Sequence, residues 1–361
     1  MQFQLICAET GERACPLDWC CPETGTPLEI ANLPAFDPDQ INHREWSLWR
    51  YATLLPVEKR LSLGAGLTPL VESSLDGMSF YAKLDYLNPT GSYKDRGTSI
   101  MLNHLLAHNV KRIVEDSSGN AGSSVALYAS AANMEARIFV PEAAPAGKKR
   151  MIAMSADIVE IPGPRAAVTE ACIAATTEPG VVYATHAWSP FFVAGQMTCA
   201  WEIWEQLGGR APGAVVCPVG QGLLLLGIAR GFAALKTTGL IERVPHIFGV
   251  QAAASDPVVR GYETGQDAPV PVTPGPTVAD GIVIGEPVRG VPVMRAIRDS
   301  GGAAIRVEEA DILPARDALA RRGFFVEPTS ATVAAALPAL HWQYDGDLVL
   351  VLTGNGLKAT Q

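Results

Sequence analysis

From about Trp46 onward the chain alternates short, apolar, β-branched runs with longer Ala-rich or amphipathic stretches. Runs that are apolar almost throughout suit strands buried on both faces. Strands separated by helices are the pattern of a parallel sheet covered by helices, so the expected class is α/β with open, mostly parallel sheets. The strands predicted on this reading are residues 79–84, 112–115, 137–140, 158–161, 181–185, 214–219, 247–251, 304–307 and 348–352. The predicted helices are 95–108, 121–132, 146–155, 194–207, 223–237, 291–300, 312–322 and 330–340. Gly323 after Arg321 and Arg322 is a helix stop. Residues 269–276 hold four prolines and are predicted to be an irregular loop.

At 361 residues the chain is long for one core, and at about 150 residues per domain two or three lobes are expected. A hydrophobic fraction of 48% with 18% charged residues suits a packed enzyme rather than a disordered chain. The net charge of -9, with no basic block, argues against nucleic acid or an anionic membrane as partner. No apolar run approaches the roughly 18 residues that span a bilayer. The first residues lack a charged segment followed by an apolar stretch, so no signal peptide is read and a cytoplasmic protein is expected. Of seven cysteines, Cys172, Cys199 and Cys217 lie in apolar surroundings and read as core thiols of a reducing compartment. Cys7, Cys15, Cys20 and Cys21 cluster in a polar, weakly periodic N-terminal stretch that reads as a small loop-rich module.

Four segments sit where a strand should hand over to a helix or turn, the place where open α/β sheets bind ligands. Asn88-Pro89-Thr90-Gly91-Ser92-Tyr93-Lys94-Asp95-Arg96-Gly97 puts a lysine at a helix start. A cation is disfavoured there, which suits an amine that must react uncharged, as in a Schiff base. The bland alternative is a surface lysine in a turn. Asp116-Ser117-Ser118-Gly119-Asn120-Ala121-Gly122-Ser123-Ser124 offers main-chain N–H groups and hydroxyls to a carboxylate, or is an ordinary capped helix start. Val219-Gly220-Gln221-Gly222-Leu223-Leu224 would let the backbone approach a phosphate. It is neither a dinucleotide fingerprint nor a P-loop. Thr353-Gly354-Asn355-Gly356 makes a sharp turn after an apolar strand, either beside a crevice or at the surface.

Together and in this order, these segments resemble pyridoxal-5′-phosphate enzymes of the tryptophan-synthase-β fold type, fold type II, and within it threonine synthases. The stretch Glu327-Pro328-Thr329-Ser330-Ala331, the stretch from His186 to Thr198 and that from Ala279 to Gly290 share the resemblance, which covers nearly the whole chain. The Lys-Asp-Arg-Gly ending of the lysine segment is its most specific part. The resemblance implies two lobes with the cofactor between them. The large cofactor-binding lobe would comprise residues 33–96 and 191–361, the smaller inserted lobe 97–190, and a ribbon-like module 1–32. Lys94 would hold pyridoxal phosphate as a Schiff base and later shuttle protons. Asn120 would bond the ring oxygen, and Gly220, Gln221, Gly222, Leu223 and Leu224 would hold the phosphate. Thr353 would face the pyridine nitrogen, where a hydroxyl keeps the ring a mild electron sink suited to elimination and replacement. Ser118, Gly119, Ala121 and Gly122 would cradle the substrate carboxylate. A homodimer acting on a small amino acid is implied too.

Two features depart from the family pattern. The paired Cys-x-x-Cys knuckles of a zinc ribbon are here Cys7-Ala8-Glu9-Thr10 and Cys21-Pro22-Glu23-Thr24, each with its second cysteine replaced. A structural zinc needs four soft ligands, so no metal is expected. The phosphate segment is also unusually apolar after Gln221. O-phosphohomoserine, the substrate of threonine synthases, carries a second phosphate that needs its own clamp. Lys148, Lys149 and Arg150 could serve, or could be a solvated helix face. The expected function is therefore a threonine synthase-like lyase. The alternatives are a β-eliminating ammonia-lyase or β-replacement synthase on another amino acid, and a non-catalytic phosphate- or nucleotide-binding protein.

Overall fold

The computed structural model describes residues 3–340 and 344–358. Its strands are β1 (Gln4–Cys7), β2 (Leu28–Ala31), β3 (Leu70–Leu75), β4 (Met78–Lys83), β5 (Arg112–Glu115), β6 (Glu135–Pro141), β7 (Asp157–Ile161), β8 (Val181–Tyr183), β9 (Ala214–Pro218), β10 (His246–Ala252), β11 (Ala304–Val307) and β12 (Leu348–Val351). Its helices are α1 (Lys94–Ala107), α2 (Asn120–Ala131), α3 (Ala146–Ala153), α4 (Arg165–Ala175), α5 (Pro190–Gln206), α6 (Leu223–Thr237), α7 (Pro257–Glu263), α8 (Gly290–Asp299), α9 (Glu309–Arg321) and α10 (Pro328–Ala335). All nine predicted strands form within two residues of their expected ends. β1, β2, β3, α4 and α7 were not anticipated. The helix expected over 330–340 stops at Ala335 and gives way to a 3-10 turn, Leu337–Leu340. Pro338 explains this, since it cannot donate the helical bond.

The chain divides into two compact units. One is built from the chain up to Gly66 with Lys94–Gly195, the other from Leu67–Tyr93 with the chain from Gln196 onward. Residues 33–66, which the resemblance assigns to the large lobe, thus group with the first unit. In the first unit a parallel sheet has the order β7-β6-β5-β8, with α2 and α4 packed on β6. Its core gathers Val114, Phe139, Val168, Cys172, Val181 and Tyr183. In the second unit the order is β11-β10-β9-β12-β4-β3, parallel except for β3, which pairs antiparallel with β4. β9 and β12 are buried at every position. Each such Val or Leu side chain stabilises the fold by about 1.5–3 kcal/mol. The helices α6 and α10 pack on this sheet. The C-terminal ends of β9 and β12 lead into the second unit's candidate site residues.

One polar network lies inside the second unit. The fully buried Lys83 ammonium, on β4, donates to Glu202 Oε2 at 2.7 Å, Thr68 O at 2.6 Å and Gln206 Oε1 at 2.9 Å. Glu202 Oε1 accepts from Leu67 N at 2.7 Å. All three protons of the ammonium are thereby satisfied, the condition for tolerating a charge in a core.

The N-terminal module is an antiparallel pair, β1 with β2, carrying two matching turns. Gly11 N donates to Cys7 O at 3.0 Å, and Gly25 N to Cys21 O at 2.8 Å. Both glycines have left-handed φ, +73° and +67°. The Cys7 thiol sits 3.5 Å from Thr24 Oγ1. Hydrogen bonds from Cys21, Thr10 and Thr24 pull it down to about 5. The four knuckle positions therefore converge with two thiols and two hydroxyls. Among the described residues no group of three or more His, Cys, Asp or Glu side chains gathers to hold a metal.

Candidate active site

In the first unit Lys94 is the first residue of α1, as the sequence predicts. Gly97 and Gly195 let the first turn of α1 pack closely on the start of α5. A Cβ on Gly97 would meet Phe192 Cγ at 2.4 Å, and one on Gly195 would meet Arg96 O at 2.2 Å. Phe192 is thereby fixed beside the lysine, whose Nζ lies 5.8 Å from its ring centroid.

Ser118 and Gly119 precede α2, and Asn120, Ala121 and Gly122 open it. Gly119 is the N-cap and brings no side-chain cap of its own to α2, while its N–H donates to Ser117 Oγ at 3.3 Å. Gly122 is required by its surroundings, since a Cβ there would fall 1.8 Å from Ser117 O. Asp116 anchors the loop from behind, accepting from Thr169 Oγ1 at 2.6 Å and Arg165 Nη2 at 2.9 Å. The Ser124 hydroxyl lies between Asp95 Oδ1 (2.5 Å) and Thr98 Oγ1 (2.8 Å), tying α2 to α1. Lys94 and residues 118–122 are thus the starts of two helices that pack on each other.

In the second unit, Gly220, Gln221 and Gly222 link β9 to α6, and Leu223 and Leu224 begin that helix. Gly222 has φ +80° and caps α6 without a side-chain bond. A Cβ on it would meet Val293 Cγ2 at 2.4 Å. The Gln221 side chain turns to Val288 N, accepting at 2.9 Å, and the side chains of Leu223 and Leu224 are buried. What this segment offers a ligand is main-chain N–H groups at a helix start, the donor set that suits a phosphate.

Thr353 follows β12, whose parallel neighbours are β9 and β4. Its N–H donates to Ser330 Oγ at 2.9 Å, while its own hydroxyl is buried with no partner. Ser92 bridges to Gly354, and Tyr93 N, one residue before Lys94, donates to Thr353 O at 3.0 Å. An unpartnered buried hydroxyl is costly unless a ligand atom meets it. A pyridine nitrogen and a phosphate ester therefore fit what Thr353 and Gly220–Leu224 present.

Lys149, one of the clamp candidates, is committed to Glu160 at 2.8 Å and Glu142 O at 3.1 Å. Sequence reasoning passed over Glu115 and His186, a buried pair 2.7 Å apart in the lysine-bearing unit. A carboxylate closing the short strand Arg112–Glu115, directly before the loop, was the available signal.

Residues 61–354 match the family of pyridoxal-phosphate dependent enzymes. The threonine synthase of Methanocaldococcus jannaschii is 32% identical over 335 residues, covering 89% of this chain and 82% of that one. That of Mycobacterium tuberculosis is 32% identical over 337 residues, covering 89% and 91%. Among solved structures, a T.th. threonine deaminase superposes with TM-score 0.68 at 31% identity, covering 80% of this chain and 92% of that one. Maize serine racemase superposes with TM-score 0.71 at 24% identity, covering 80% and 88%, and supports the fold alone.

Proposed function

Because the chain belongs to the family of pyridoxal-phosphate dependent enzymes, we propose that it is a lyase of the threonine synthase type, converting O-phosphohomoserine and water to threonine and phosphate. The observation that carries this is the strand end after β12. There the segment leading into Lys94 is hydrogen-bonded to Thr353, whose hydroxyl is buried and unpartnered.

Pyridoxal phosphate, when bound, supplies an electron sink beside the substrate's α-carbon. Lys94 would hold the cofactor through its aldehyde carbon, and its amine would move protons at the substrate carbons. Asn120 would donate to the ring oxygen. Main-chain N–H groups from Gly220 to Leu224 would bind the phosphate. Thr353 would offer its hydroxyl to the ring nitrogen, which, unlike a carboxylate, does not favour protonation there. Ser118 to Gly122 orient the substrate carboxylate at the positive end of α2.

A second reading keeps these roles and changes the substrate, giving a β-eliminating ammonia-lyase or β-replacement synthase. The likeness to a threonine deaminase and the engagement of Lys149 with Glu160 favour it. The purified protein is expected to absorb in the visible and to lose that band in Lys94→Ala. Release of threonine and inorganic phosphate from O-phospho-L-homoserine supports the first reading. Release of a 2-oxo acid and ammonia from L-serine or L-threonine supports the second. A colourless protein that pyridoxal phosphate does not colour refutes both. The proposed setting is the cytoplasm, as a homodimer. Among the described residues no helix is long and apolar enough to cross a membrane.

A further inference from the structure

Glu115 and His186 stand outside the roles assigned above. Glu115 ends β5, and His186 follows β8, its neighbour in the sheet. Glu115 Oε1 lies 2.7 Å from His186 Nδ1. The Glu115 side chain is fully buried, and its Oε2 has no partner. The His186 side chain keeps 10% of its surface exposed. Its centroid is 5.8 Å from that of Phe192, the ring that also faces Lys94 Nζ at 5.8 Å. The carboxylate-binding loop begins two residues after Glu115. With Nδ1 taken from behind by a carboxyl group, Nε2 is the nitrogen able to meet a substrate atom. This is how an acid/base histidine is oriented.

We propose that His186, positioned by Glu115, is a second acid/base group of the reaction: it protonates the leaving group and then takes a proton from the incoming water. The proposal deepens the threonine synthase reading and rests on it. When the carbon–oxygen bond breaks, its electron pair leaves with the oxygen, which takes the proton from Nε2. The Glu115 proton moves across the 2.7 Å contact to Nδ1, leaving a carboxylate beside a neutral imidazole. When water adds, its proton passes to Nε2 and the Nδ1 proton returns to Glu115. The pair ends as it began, and no other reagent is consumed.

The surroundings favour this starting state. Burial, then the charge of Asp116, raises Glu115 well above the usual carboxylate range, in the direction of its protonated form. Burial, then the charges of Lys94 and Arg165, lowers His186 well below the usual imidazole range, in the direction of the neutral ring. Arg165 is held on Asp116 at 2.9 Å, and both face the pair from α4 and the loop.

The test measures phosphate release from O-phospho-L-homoserine by the holoenzyme across about pH 6 to 9, with circular dichroism confirming that each variant folds. His186→Gln is expected to lower kcat by about 10²-fold or more at nearly unchanged KM, and to abolish the alkaline limb of the kcat profile. Glu115→Gln, which can still hydrogen-bond Nδ1, is expected to lower kcat less and to displace that limb. A reduced kcat with the wild-type limb intact would mean a structural pair and overturn the proposal. The infrared spectrum decides independently of turnover. The wild-type protein, with or without cofactor, should show a protonated buried carboxyl that Glu115→Gln lacks, and absence of that band also overturns the proposal. A wild type that releases no phosphate but keeps the band defeats the substrate reading and leaves the proton pair standing.

Discussion

His104 offers a quantitative test of how the N-terminal module is held on its unit. It lies on α1 and is 3% exposed. Its Nε2–H donates to Pro16 O at 2.6 Å, and its Nδ1 is buried without a partner. Phe191 stacks on the ring at 3.7 Å, and Phe3 and His108 crowd it. A second proton on the ring would have to sit on Nδ1, with nothing to receive it. Burial accordingly lowers His104 from 6.5 to about 4, although the Pro16 bond works in the opposite direction. For a base whose folded value is depressed, the stabilisation is complete above the unfolded value of 6.5. It is lost as the pH falls towards 4, because only the unfolded chain takes up the proton. The full loss is about 3 kcal/mol, and about 2 kcal/mol of it has occurred by about pH 5. The assay is urea unfolding followed by circular dichroism at about pH 7 and about pH 5, on wild type and on His104→Gln. That variant keeps an N–H for Pro16 O but cannot titrate. Every other titrating group is common to both proteins, so the difference of differences isolates His104. The wild type should lose about 2 kcal/mol more than the variant over that interval. Parallel losses, within about 0.5 kcal/mol, would refute the reasoning. So would a ring carbon resonance of His104 titrating near 6.5 in the folded protein.

Three further outcomes follow from the packing. Lys83→Met removes the buried ammonium that bonds Glu202, Thr68 and Gln206 and should cost about 3–5 kcal/mol in denaturant unfolding. Gly222→Ala forces a Cβ into Val293 at a left-handed φ and should weaken pyridoxal phosphate binding about tenfold or more, read by absorbance titration. Thr10→Cys with Thr24→Cys should restore four converging thiols, so the double variant should bind one zinc per chain, measured by metal release to a chromogenic chelator.

Much of this was legible in the sequence. Strands such as Ala214–Pro218 and Leu348–Val351 are apolar throughout, and burial on both faces leaves that trace directly. The helix starts at Lys94, Asn120 and Leu223 were readable because glycine and hydroxyl residues mark the places where strands end. What escaped was information carried by pairs distant in sequence. The contact between Glu115 and His186 joins residues 71 apart, and neither is unusual alone. The β3–β4 hairpin is a different kind of omission. Asp76-Gly77 between two strands is a strong two-residue turn signal, with both residues at positive φ. It was obscured because β3 is polar at Glu72, Ser73 and Ser74 and lacks the apolar run used to find the others. α4 follows Pro164 and α7 opens on Pro257, prolines that read as loop rather than as helix starts.

That same hairpin bears on how the polypeptide survives its own synthesis. The parallel sheet it borders is assembled from segments far apart in the chain, and such pairings form slowly. While they are pending, an open sheet margin invites neighbouring nascent chains to add strands of their own. β3 joins β4 through a two-residue turn, so that margin can be occupied early by the chain itself. Glu72 is exposed on its outermost strand, where a carboxylate discourages a second molecule from docking in register.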